Sequence, residues 1–158
     1  MKHKLDAIDR KILEIMQSNA KITNAQLSKE IDLSPAPTLE RVKKLEQFGI
    51  IKSYHATLDR LAVGLGVITL VKVTLIKHKT NFINSFIERI NQIPEVIECH
   101  HITGDGDFIL KVVSEDMASY QKLMLDVISE IPEVDNLQST IILSTYKDSK
   151  VLPLPHTN

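Results

Sequence analysis

The side chains best placed to do chemistry in this chain are cations gathered in one short stretch. Arg41, Lys43 and Lys44 follow Pro35, Ala36 and Thr38, with Ser28 and Lys29 just upstream. Guanidinium and ammonium groups take phosphate oxygens, and Arg also bonds base edges. A threonine can meet a thymine methyl or accept a hydrogen bond. Arg41 is the best candidate for a base or phosphate contact, and Lys29, Lys43 and Lys44 for phosphates. Ser28 can add a hydrogen bond. Pro35, Ala36 and Thr38 would lead toward base edges. Each lysine also fits a plain solvated surface.

Other chemistry is thinly supported. His100, His101 and Cys99 invite a metal, but strand neighbours point to opposite faces and no second Cys or spaced His cluster exists. No phosphate-binding loop, dinucleotide fingerprint or nucleophile elbow is present, and the carboxylates are scattered. Neither a cofactor, a metal nor catalysis is expected. Cys99, the lone cysteine, reads as a core residue in a chain with no intrachain disulfide.

The cations need helices to position them. Thr23 and Gln26 have capping-box spacing, so a helix starts there, with Ala25, Leu27 and Ile31 on its apolar side. Residues 32–35 break it. Ser34 is placed to cap a third helix, with Pro35 at its first position. Leu39, Val42 and Leu45 set that helix's stripe, which leaves Arg41, Lys43 and Lys44 facing solvent. A first helix spans residues 5–17. The expected small core is Leu5, Ile8, Ile12, Ile15, Leu27, Ile31, Leu39, Val42 and Leu45. Helix, turn and basic helix is how helix-turn-helix proteins enter the major groove, and an ordinary helical hairpin has the same pattern. Gly49 stops the third helix, and residues 50–58 read as a short strand or wing, where Lys52 and His55 would lie beside the backbone of a duplex.

The charge is uneven. Of 158 residues, 43% are hydrophobic and 25% charged, and the net charge is −1. Residues 1–60 carry a net of +3 and residues 61–158 a net of −4. A basic module joined to an acidic remainder suits an anionic polymer at one end only. An excess of +3 binds duplex weakly in one copy, which points to a dimer or larger assembly. No apolar run is long enough to span a bilayer, so no membrane partner is expected. The opening residues lack a signal-peptide core, and a cytoplasmic location is expected.

Residues 59–66 read as a packed connector. Beyond it come a strand at 67–76, a helix at 81–92, strands at 96–103 and 107–114 around Gly104-Asp105-Gly106, a helix at 116–131 and a strand at 137–146. Met117, Tyr120, Met124, Val127, Ile128 and Ile131 are expected to be buried on the second helix. Ile-Pro-Glu-Val occurs at 93–96 and again at 131–134, each time between a helix and a strand. This β-α-β, β-α-β order predicts an α+β chain with a C-terminal ferredoxin-like domain, a four-stranded antiparallel sheet with helices on one face. Its strands carry apolar residues on both sides, so the open face is expected to pack on a second copy. The expected division is 1–58 winged helix-turn-helix, 59–66 connector, 67–147 ferredoxin-like domain and 148–158 tail. The tail is expected either to lack structure or to cross to a partner chain.

From about residue 5 to 147 the chain resembles the leucine-responsive and asparagine regulators, the Lrp/AsnC family. The resemblance is carried by Leu5-Asp6, Asp9-Arg10, Ile12-Leu13, Ala25-Gln26-Leu27-Ser28, Leu33-Ser34, Arg41-Val42, Leu45-Glu46, Gly49-Ile50-Ile51, Cys99-His100, Gly104 with Asp107-Phe108, and Thr140 before Ile141-Ile142-Leu143. It implies a sequence-specific transcription regulator that binds double-stranded DNA. It also implies a homodimer formed through the ferredoxin-like sheets, assembly of dimers into an octamer, and a small amino-acid effector bound between dimers near the hairpin turn. On that basis Thr103, Gly104, Asp105, Gly106 and Asp107 map to the effector region, with Gln138 and Thr140 on the last strand. Gly104 and Gly106 leave backbone N–H groups for an α-carboxylate, and Asp105 or Asp107 can pair with an α-ammonium. The same four residues also make an ordinary hairpin turn. Gly106 departs from the family, where this position often carries a bulkier residue. The alternative is a ferredoxin-like metabolite sensor or enzyme that does not bind DNA.

Overall fold

The computed structural model describes residues 4–77 and 79–155. The chain forms two compact units, residues 1–57 with 147–158, and residues 58–146.

The first unit holds α1 (Ala7–Ser18), α2 (Asn24–Glu30) and α3 (Pro35–Gln47). The first helix begins two residues later than expected because Asp6 caps it. Asp6 accepts from the Asp9 N–H at 2.7 Å, and the Asp9 carboxylate takes the Asp6 N–H in return. Thr23 and Gln26 form the expected capping box at α2. Asp32, at φ 57°, turns the chain between α2 and α3. Ser34 does occupy the N-cap of α3, but its side chain makes no capping bond.

Ile12, Leu13, Leu27, Ile31 and Leu45 form the core of this unit. Leu39 is 42% exposed, whereas Thr38 is fully buried. The inward stripe of α3 therefore runs through 38, 42 and 45, the i, i+4, i+7 positions, and is offset by one residue at its start from the expected stripe. Residues 52–58 form neither helix nor ladder pairing within the chain, so the wing segment is not a paired strand. It is held to α3 by Tyr54, whose hydroxyl donates to the Glu46 carboxylate at 2.7 Å. Burial, then that carboxylate, pushes the phenol up to about 12.

The tail departs from both expectations, packing on this chain's own first unit. Leu152 N–H donates to Gln17 Oε1 at 2.6 Å, Gln17 Nε2 donates to the Leu152 carbonyl at 3.3 Å, and Leu154 packs against the core. Tail residues 156–158 lie outside the described residues. Between α1, residues 50–57 and the tail lies an apolar groove of about 690 Å³, lined by Leu13, Met16, Ile51, Leu152 and Leu154 among others.

The second unit contains β1 (Val67–Leu75), α4 (Thr80–Ile90), β2 (Val96–His101), β3 (Phe108–Ser114), α5 (Met117–Leu123) with a π-helical continuation (Met124–Ile128), and β4 (Val134–Ile141). The strands lie in the order β2-β3-β1-β4, each pairing antiparallel to its neighbour. From Ile68 onward the residues of β1 alternate between half-buried and buried. Val71, Val73, Leu75, Phe108, Leu110 and Val112 pack against Phe86 and Ile90 of α4 and Tyr120, Leu123, Met124 and Ile128. The two Ile-Pro-Glu-Val segments make the same pair of i→i+3 turns, through Ile90, Ile93 and Val96 and through Ile128, Ile131 and Val134.

Met117 and Val127 are 47% and 41% exposed, contrary to expectation. Met117 is the first residue of α5, and the Ser129 N–H bonds back five residues to Met124, a widened turn in which Met124 and Ile128 are buried and Val127 faces out. The last strand begins at Val134 and ends at Ile141, earlier at both ends than expected. Leu143 and Tyr146, expected in that strand, are almost fully exposed. Ahead of β1 the connector is tied by Arg60, which donates to the carbonyls of Leu65 and Gly66 at 2.9 Å each.

Candidate nucleic-acid interface and effector site

The α2–turn–α3 pair is fixed by burial of Leu27, Ile31, Thr38 and Leu45 and by a bond from Asn24 Nδ2 to the Pro35 carbonyl at 2.8 Å. Pro35, Ala36, Lys29, Lys43 and Lys44 are all exposed. Lys43 sits 3.9 Å from Glu40 one turn back, a loose solvent-side pair. These five candidates keep an open face.

Three other candidates do not. Thr38 is fully buried and its hydroxyl donates to the Ser34 carbonyl at 2.9 Å, so it reaches no base edge in this arrangement. Ser28 is buried at 2% exposure and donates to the Ala25 carbonyl. Arg41 does not face open solvent. Its Nη1 bonds Asp6 Oδ2 and Asp9 Oδ1, each at 2.7 Å, clamping α3 to the start of α1. Arg41 is raised further by these two carboxylates, Asp6 first. Burial opposes ionisation of Asp6, but the Asp9 N–H and the guanidinium outweigh it and hold its carboxyl below the usual range. Both α1 acids lie more than thirty residues from Arg41 in sequence, so only the packed helices reveal the clamp.

In the second unit, the turn between β2 and β3 carries Gly104 at φ 101° and Gly106 at φ 108°, a backbone that glycine adopts without strain. Thr103 and Gly104 are exposed. Asp107 serves the turn. Its Oδ2 accepts the Leu75 N–H at 2.7 Å, and its own N–H donates to the Val73 carbonyl. Asp105 points outward, its side chain 95% exposed, and its Oδ2 meets Lys72 Nζ at 2.7 Å. The Lys72 ammonium beside it holds the Asp105 carboxyl below the usual range. In the sequence Lys72 is only one residue of the strand expected at 67–76.

Ladder register brings the remaining candidates to the same side. Lys72 is directly opposite Gln138 on β4 and Ile109 on β3, and Leu70 is opposite Thr140. Directly opposed residues share a face, so Gln138 and Thr140 lie with Lys72 on the helix-free face. Glu98, on β2, bonds Lys111 at 3.0 Å and His100 at 3.2 Å. These contacts, Lys111 foremost, keep its carboxyl below the usual range. Cys99 packs against the core, and burial pushes its thiol up. Among the described residues no group of three or more His, Cys, Asp or Glu side chains is placed to hold a metal. No described helix is long and apolar enough to cross a membrane.

Comparison with known proteins accounts for both units. Residues 5–52 match the family model described as winged helix-turn-helix DNA-binding, and residues 68–152 match that of the Lrp/AsnC ligand binding domain. The chain is 39% identical over 150 residues to the leucine-responsive regulatory protein of Haemophilus influenzae, covering 95% of this chain and 90% of that one. It is 37% identical to transcriptional regulator AzlB of Bacillus subtilis, covering 95% and 96%. A transcriptional regulator of Neisseria meningitidis, solved as a complex with L-Met, superposes with a TM-score of 0.90 at 33% identity, covering 95% of this chain and 97% of that one. An AsnC family transcriptional regulator from Agrobacterium tumefaciens gives 0.89 at 32%, covering 94% and 97%. With a DNA-reading helix pair at one end and the matching ligand-binding fold at the other, this chain belongs to the Lrp/AsnC family of transcription regulators.

Proposed function

We propose that the chain reads duplex DNA through the open side of α3 and that a neutral amino acid bound at the β2–β3 turn biases its assembly or its DNA affinity. The observation that carries the reading is the division of labour within α3. Its inner stripe and Arg41 are taken up by packing, while Pro35, Ala36, Lys43 and Lys44 stay exposed at and beyond its leading end. Proteins of this kind present the leading residues of the second helix to base edges and flanking cations to phosphates. Lys29 adds a further phosphate contact from α2.

At the other end, Thr103, Gly104, Asp105 and Gly106 offer N–H groups and a carboxylate on one exposed turn, with Gln138 and Thr140 on the same sheet face. The L-Met complex of the related regulator supports an amino acid as the ligand class. The effector acts only through a difference in affinity between two assembly or DNA-bound states. Homodimers joined through the helix-free sheet face, its turn end near Lys72 left open between dimers, and dimers joined into octamers, supply such states and multiply the weak positive charge of a single copy. The protein acts in the cytoplasm as a regulator and carries no catalytic centre.

The test is binding of the full chain to duplex from upstream of its own gene, at two salt concentrations, with and without pooled amino acids. Sequence-preferring, salt-sensitive binding that shifts with the pool is expected. Binding indifferent to the pool removes the effector, and sequence-indifferent binding removes specific readout.

A further inference from the structure

We propose that Lys72 is the cation that receives the α-carboxylate of the amino-acid effector, by exchanging its bond to Asp105 for one to the ligand. The inference rests on the effector reading above and adds a recognition residue to it. Lys72 lies on β1, more than thirty residues before the turn, yet its Nζ sits 2.7 Å from Asp105 Oδ2 at the turn's tip.

Gly106 is what allows this. A Cβ built there would stand 2.8 Å from Lys72 Cγ and 3.0 Å from Cδ. The lysine stem therefore lies across the space that a side chain at 106 would fill. The two partners are unequally held. The Lys72 side chain is 27% exposed and that of Asp105 is 95% exposed, so the lysine is the packed partner and the aspartate the solvent-facing one. Register sets Gln138 beside Lys72 on one strand and Ile109 on the other.

A zwitterion fits this pair by charge. Its carboxylate replaces Asp105 on Nζ, and its ammonium takes the released Asp105 carboxylate. One ion pair becomes two with no change in net charge, so no unbalanced charge is left at the site. The N–H groups of the glycine turn supply the remaining donors to the carboxylate. The apolar surface of Ile109 lies beside the lysine, which suits a neutral side chain.

The experiment is calorimetric titration of the full-length chain with each of the twenty protein amino acids, followed by titration of the tightest binder and its α-amide. The amide keeps the ammonium and loses the carboxylate. The wild type is expected to prefer the acid over the amide by about tenfold or more, the range of a charge-assisted bond. Lys72→Met should cut that preference by about tenfold while binding the amide no more weakly than the wild type does. Lys72→Arg should keep the preference. Asp105→Asn should weaken acid and amide alike and leave the preference in place. A Lys72→Met protein that melts and assembles as the wild type does, yet keeps the full wild-type acid preference or loses acid and amide together, overturns the role of Lys72 and leaves the effector reading standing. A wild-type chain that binds none of the twenty overturns both.

Discussion

At Arg41 one guanidinium had two possible employments, a contact to DNA and a contact inside the unit. Its 2.7 Å bonds to Asp6 and to the buried Asp9 give it the second. Substitution should therefore act on DNA through stability. Arg41→Ala should lower the stability of the helix-turn-helix unit by about 1–3 kcal/mol, the cost of stripping a buried charged acceptor of a donor. It should weaken operator binding without changing the slope of log affinity against log salt. Lys43→Ala and Lys44→Ala should each reduce that slope by about 1 and leave the melting temperature unmoved. Paired melting curves and salt titrations separate the two behaviours. The spacing of α3 correctly marked 41, 43 and 44 as off the apolar stripe. It held nothing about Asp6 and Asp9, because a long-range ion pair has no period. Lys72 escaped notice for the same reason, since only the folded sheet brings it to a turn that follows it by thirty residues.

The clamp between α1 and α3 also has a pH signature. Because the folded-state pKa of Asp6 lies below its usual 3.8, its contribution is complete above that value and fades as pH falls through the lower folded value. The Asp6 side chain is half exposed and screened, so the contribution should stay below about 1 kcal/mol. The melting temperature of the helix-turn-helix unit should be flat from pH 7 to about 5 and fall below pH 4, and Asp6→Asn should blunt part of the acid limb. Circular dichroism melts across that range check both. Elements with strong local chemistry were legible in the sequence: the Thr23–Gln26 capping box, the proline-led α3, the strand of β1 and the repeated Ile-Pro-Glu-Val segments. The exchange of Leu39 for Thr38 was not, because spacings of three and four both satisfy a helical stripe. Nor was the π turn after α5, which adds one backbone unit to a helix without altering its composition.

For the whole molecule the decisive feature is the tail, which carries no periodicity to read and whose partner, Gln17, lies at the far end of the sequence. Ending the chain at Lys147 removes both Gln17–Leu152 bonds and the Leu154 contact. The helix-turn-helix unit should then lose about 1–3 kcal/mol and melt several degrees lower. Leu154→Ala should reproduce part of the loss, and the melting of residues 58–146 should not change. The course of the chain carries a further consequence. It leaves the first unit after Thr57 and returns to it at Lys147, so the ferredoxin-like unit is an insertion within the helix-turn-helix unit rather than a domain appended to it. A protease that cuts the connector once leaves the two pieces joined only by the tail contacts of Leu152 and Leu154, which at about 1–3 kcal/mol are too weak to hold separate chains together at micromolar concentration. The DNA-reading part then departs without its tail and should melt like the chain ended at Lys147.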